Sequence, residues 1–89
     1  MKKILIVDDQ LEIRELVDTT LRSDDYQIFQ AESGEQAIEL AKAEKPDLII
    51  MDIMMPGKID GLEAARMLKR DPGTEGCQII MLTGRGQKD

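Results

Sequence analysis

Three acids and a hydroxyl stand out for what they could do together. Asp8 and Asp9 follow the apolar run Ile4–Val7, Asp52 follows Leu48–Met51, and Thr83 follows Ile79–Leu82. Three carboxylates gathered in one place repel each other unless a cation joins them. Mg²⁺ suits such a set, because it prefers carboxylate oxygens and keeps several waters for a phosphorylated substrate. A carboxylate can also act as a nucleophile toward phosphorus and form an aspartyl phosphate. The cation would then neutralise charge on the transferring group, and a threonine hydroxyl could donate to one of its oxygens. Each placement alone is usually a solvated loop acid or a helix cap. Their recurrence at the same end of three apolar runs carries the chemical reading.

Composition removes competing chemistries. The chain of 89 residues has no histidine and one cysteine, Cys77. A histidine-based triad, a zinc cluster and an imidazole general base are therefore excluded, and so is an internal disulfide. The formal net charge of −6 opposes a protein that grips nucleic acid, because phosphates repel an acidic surface. The apolar runs are far too short to cross a bilayer. Met1-Lys2-Lys3 precedes only four apolar residues before acids follow, too few for a signal-peptide core. A cytoplasmic location, with no membrane partner, is the expectation.

The elements that must position these groups follow from periodicity. Ile4–Val7 is a continuous aliphatic run of the kind found in strands buried on both faces. From Leu11 the spacing turns helical, with Ile13, Leu16, Val17, Thr20 and Leu21 on one stripe, opposite Arg14 and Asp18. Asp9 is the expected N-cap of that helix. Tyr26–Ala31 reads as a shorter strand. Ser33 and Gln36 form a capping box for a helix from Glu35 to Glu44, with Ala37, Ile38 and Ala41 inward and Lys45-Pro46 as its stop. Leu48–Met51 reads as a second doubly buried strand. Gly61–Arg70 reads as a helix using Leu62, Ala65, Met67 and Leu68, ended by Asp71-Pro72-Gly73. Ile79–Leu82 is the last strand. Such β-α-β-α-β-α-β alternation implies a parallel sheet with helices on its faces. Ligands of an open sheet of this kind bind at the carboxyl ends of its strands. If the first, third and fourth strands are neighbours, the candidate groups share one crevice there.

Across its whole length the chain resembles the receiver domain of two-component response regulators. The matching residues are Ile4-Leu5-Ile6-Val7-Asp8-Asp9, Ala31 to Ala37, Pro46 to Pro56, Asp60-Gly61 and Ile80-Met81-Leu82-Thr83. The resemblance implies an α/β fold, a flavodoxin-like doubly wound parallel sheet, with residues 1–89 as the amino-terminal part of one receiver domain. It implies that Asp52 is phosphorylated from a phosphohistidine donor. Asp8, Asp9 and Asp52 would bind Mg²⁺ together with the backbone carbonyl of Met54, and Thr83 would contact the phosphoryl group. It also implies a sensor histidine kinase or phosphotransfer protein as partner, and a signalling role rather than an enzymatic one.

The sequence departs from the family pattern twice. The segment Pro56–Gly61 looks one residue longer than the commonest spacing. The resemblance also ends at four strands and three helices, short of a fifth strand, its lysine and two further helices; Lys88 does not stand at that lysine's place. An exposed edge and an uncovered face are then expected to drive self-association. The alternative reading is a phosphorylation-impaired interaction or dimerisation module. A small phosphohydrolase fits less well, since Asp52 is followed by Ile53 and Met54 and no Asp-x-Asp pair is present.

Overall fold

The aliphatic run after Met1 forms β1 (Lys2–Val7), with Ile4, Leu5, Ile6 and Val7 all buried, as its composition requires. The computed structural model describes residues 1–82. The remaining elements in order are α1 (Leu11–Leu21), β2 (Tyr26–Ala31), α2 (Gly34–Glu44), β3 (Leu48–Asp52), α3 (Gly61–Arg70) and β4 (Gln78–Leu82). The four strands make one parallel sheet in the order β2-β1-β3-β4. This is the flavodoxin-like parallel sheet that the resemblance implies, with β1, β3 and β4 side by side.

Strand pleating divides the interior into two faces. Leu5, Val7, Ile49 and Met51 point to one face, where Ala37 and Ala41 of α2 and Ala64 and Leu68 of α3 complete the main core. Small alanines on both helices let them approach the sheet and each other closely. Ile4 and Ile6 point to the other face, on which α1 lies. Its Arg14 donates from Nε to Gln30 Oε1 at 3.0 Å, and Gln30 Nε2 donates to Asp18 Oδ2 at 2.9 Å. Helices thus lie on both faces of the sheet, with α1 covering β1 and β2 on its own side.

Several local expectations need correction. The N-cap of α1 is Gln10, not Asp9, and its side chain makes no capping bond. Leu16 is exposed, whereas Arg14 and Asp18 are half-buried, because the helix meets the sheet through the polar contacts to Gln30. In α3, Leu62 and Met67 face outward and Ala64 takes the inner position. In β3, Leu48 and Ile50 are only half-buried, since α1 packs on β1 and β2 rather than over β3. The capping box of α2 does form. Ser33 Oγ accepts from Gln36 N at 3.1 Å, while Gln36 Oε1 reaches one residue further back, to Glu32 N at 2.7 Å.

The segment between α3 and β4 is tied down by groups that periodicity does not mark. Thr74 is buried, and its hydroxyl donates to the Leu68 carbonyl at 2.7 Å, closing the end of α3. Lys69 Nζ donates to the carbonyls of Cys77 at 2.6 Å and Glu75 at 3.1 Å. Cys77 itself is a buried filler whose thiol pKa is pushed up by burial, with Lys69 pulling partly the other way. Thr74→Val keeps the shape but removes the donor to a buried carbonyl. It should cost about 1–3 kcal/mol in urea unfolding; Thr74→Ser, which keeps the hydroxyl, should cost less.

Candidate metal and phosphoryl-acceptor centre

The register of β1 against β3 brings the acids together. Val7 pairs with Met51, so the next residue of each strand, Asp8 and Asp52, arrives at the carboxyl edge side by side. Backbone bonds fix these ends: Asp8 N donates to Ala31 O at 3.1 Å, and Ile53 N donates to Leu82 O at 3.2 Å. Asp8 and Asp52 are each 1% exposed and Asp9 is half-buried. One carboxylate oxygen from each of the three lies within 4.8 Å of the others.

Both buried carboxylates also receive local backbone donors. Asp8 Oδ1 accepts from Gln10 N at 2.9 Å, and Asp52 Oδ1 accepts from Met54 N at 3.2 Å. Each bond spans two residues and ties the carboxylate to the turn that follows its strand. Arg14 donates from its guanidinium to the Asp8 carbonyl at 2.7 Å, so a positive charge of α1 is held against the backbone of the cluster. The donor set consists of hard oxygens from clustered carboxylates, with no histidine in the chain and the one cysteine elsewhere. That chemistry fits Mg²⁺ and does not fit a soft or borderline metal.

The structure thus unites Asp8, Asp9 and Asp52, as their strand-end positions require. Met54 follows two residues after Asp52, with its side chain exposed and its N–H on the Asp52 carboxylate. Thr83 lies outside the described residues. A groove of about 410 Å³ opens at the opposite, amino-terminal edge of the sheet, lined by Lys2, Ile4, Tyr26, Asp47, Leu48 and Gln78. It contains none of the candidate residues and is separate from the acidic crevice.

One residue important to this geometry had no role assigned from sequence. Gly61 opens α3 directly against the end of β3, and its N–H donates to Ile53 O at 3.0 Å. A Cβ there would overlap the Asp52 carbonyl oxygen and sit 2.9 Å from its carbon. Asp60 caps the same helix through Oδ1, which accepts from Glu63 N at 2.9 Å. The Asp60-Gly61 pair was legible as a helix start, but only the fold shows what the glycine sits against.

Comparison with known proteins agrees with this arrangement. Residues 4–89 match the response regulator receiver domain family. The chain is 47% identical over 88 residues to the phosphate regulon transcriptional regulatory protein PhoB of Pseudomonas aeruginosa, covering 99% of this chain and 38% of that protein. It is 40% identical over 88 residues to sporulation initiation phosphotransferase F of Bacillus subtilis, covering 99% of this chain and 68% of that one. Among solved structures, the N-terminal domain of a response regulator receiver protein from Methanoculleus marisnigri superposes with a TM-score of 0.87 at 38% identity, over 96% of this chain and 68% of that one. The chemotaxis response regulator CheY4 of Vibrio cholerae gives 0.86 at 32% identity, over 98% and 72%. The chain therefore spans well under half of the first relative and about two thirds of the others. With its parallel sheet, its helices on both faces and its acids at the carboxyl edge, the chain belongs to the receiver domain family of two-component response regulators.

Proposed function

We propose that Asp52 is the phosphoryl acceptor of this receiver and that Asp8, Asp9 and Asp52, with the backbone carbonyl of Met54, hold Mg²⁺. The observation that carries this reading is the approach of three carboxylates to within 4.8 Å at the carboxyl edge of the sheet. When bound, Mg²⁺ supplies charge neutralisation on the transferring phosphoryl group. Asp52 contributes the nucleophile: a carboxylate oxygen forms the new O–P bond while the donor P–N bond of a phosphohistidine breaks. The released imidazole takes up a proton from solvent. Met54 N–H donates to Asp52 Oδ1 at 3.2 Å and so helps to orient the carboxylate. Thr83 is the proposed contact to a phosphoryl oxygen.

The donor partner is a sensor histidine kinase or phosphotransfer protein, and the phosphorylated state biases a surface that further partners read. The role is signalling, without turnover of a substrate, with residues 1–89 as the amino-terminal part of a receiver domain. No helix among the described residues is long and apolar enough to cross a membrane. The proposed setting is cytoplasmic, and the acidic surface opposes direct nucleic-acid binding by this part of the protein.

The test is intact-mass analysis after incubation with Mg²⁺ and a small phosphodonor such as acetyl phosphate. One added phosphoryl group is expected, and none when Mg²⁺ is chelated before the donor is added. Absence of any adduct under saturating donor and metal would contradict the assignment.

A second reading concerns assembly. β4 is at the sheet edge among the described strands, and Ile80 is 50% exposed beside the half-buried Ile50 and Leu82. We propose that this chain self-associates through β4, since an apolar strand at a sheet edge is a pairing template. Sedimentation should show concentration-dependent association that Ile80→Lys weakens. A single monomeric species at all concentrations would rule it out.

A further inference from the structure

The segment joining β3 to α3, residues 53–60, is held from two sides by groups that are not themselves candidate ligands. At its far end, Gly61 packs its backbone onto Asp52, where any side chain would displace the Asp52 carbonyl. In its middle, Lys58 N donates to Glu35 Oε2 at 3.1 Å, a bond between residues 23 apart in the chain. Glu35 lies in the first turn of α2, just after the Ser33 cap. The same carboxylate sits under Gly57, whose φ of +120° is open to glycine and strained for other residues. A Cβ on Gly57 would come to 3.3 Å from Glu35 Oε1. The segment that carries Met54 is therefore seated on Asp52 through Gly61 at its far end and latched to α2 through Lys58.

We propose that Glu35 and Gly61 are positioning residues for the acceptor site. By latching the 53–60 segment to α2 and seating α3 on Asp52, they set where the Met54 backbone stands relative to the three carboxylates. This rests on the reading of Asp52 and its neighbours as the Mg²⁺ and phosphoryl site. Groups that orient metal ligands without touching the metal commonly change affinity by about 10–100-fold when removed. A hydrogen bond rather than charge is the working part of Glu35, because its partner is a neutral backbone N–H.

Glu35 is exposed, so its variants should fold. Glu35→Ala removes the acceptor, whereas Glu35→Gln loses the same charge and keeps an oxygen for Lys58 N–H. Mg²⁺ affinity would be measured by titrating the metal alone, and phosphorylation rate with acetyl phosphate, on the full chain. Glu35→Ala should lower both by about 10-fold or more, Glu35→Gln should restore them to near the parent values, and urea midpoints should stay close. Gly61→Ala should lower them further; any loss of fold in that variant is read by circular dichroism and leaves the Glu35 pair to decide. Equal affinity and rate in the parent and Glu35→Ala would overturn the positioning role while leaving the acceptor assignment standing. So would an equal loss in Glu35→Ala and Glu35→Gln, which would make charge the cause. A parent chain that neither binds Mg²⁺ nor takes a phosphoryl group would overturn both.

Discussion

Asp52→Asn is expected to abolish the phosphoryl adduct and, at the same time, to make the metal-free chain more stable. Asp52 is buried, and an oxygen of its carboxylate lies within 4.8 Å of oxygens on Asp8 and Asp9. At a separation of about 5 Å and an effective dielectric of about 20, two such charges repel by roughly 3 kcal/mol. Asparagine is nearly isosteric, and its Oδ1 can still accept from Met54 N, so the substitution removes repulsion while keeping the local bond. Part of the gain is offset by placing a side-chain amide among carboxylates. A net rise of about 1–3 kcal/mol in urea unfolding without metal is expected. Saturating Mg²⁺ should narrow or reverse that difference, because ligand at 100 times its Kd stabilises the parent by about 2.7 kcal/mol and the variant binds more weakly. A variant less stable than the parent in the absence of metal would show that the cluster is not under electrostatic strain.

Ile49→Ala should be the most damaging of the simple core truncations. Ile49 is fully buried in β3, paired with Leu5 on one side and Ile79 on the other, and belongs to the core that α2 and α3 cover. Truncating a large buried aliphatic side chain costs about 2–5 kcal/mol through lost transfer energy and the cavity left behind. A domain has only about 5–15 kcal/mol in all, so the loss is a large fraction of the total. Because Asp52 is three residues further along the same strand, Mg²⁺ binding should fall with the folded fraction. Leu62→Ala is the control: Leu62 is 43% exposed, and the change should fall within about 0.5 kcal/mol. Similar urea midpoints for the two variants would mean that the core is not organised around β3.

The order of elements was legible because aliphatic runs and helical periods alternate, most plainly at Ile4–Val7 and Leu48–Met51 and least so at the partly polar Tyr26–Ala31. The acids at the strand ends were legible because parallel sheets collect ligands at that edge, and a strand ending in Asp stands out against the apolar run before it. What escaped was set by tertiary contact. Arg14 and Asp18 look like solvent-facing charges, yet both bond to Gln30 of β2. Leu62 and Met67 look like core residues, yet the close α2–α3 approach selects Ala64 instead. Gly61 and Thr74 carry no periodic signal at all. One works by lacking a side chain and the other by a single hydroxyl, and both depend on partners that only the fold supplies.

The acceptor assignment is tested most directly by trapping the acyl phosphate on its residue. After reaction with acetyl phosphate and Mg²⁺, borohydride reduction converts an aspartyl phosphate to homoserine, releasing phosphate, and peptide mapping locates it. Homoserine is expected at position 52 alone, and none without Mg²⁺. Homoserine at position 8 or 9 with Asp52 unmodified, or an unchanged phosphoryl adduct in Asp52→Asn, would contradict the assignment.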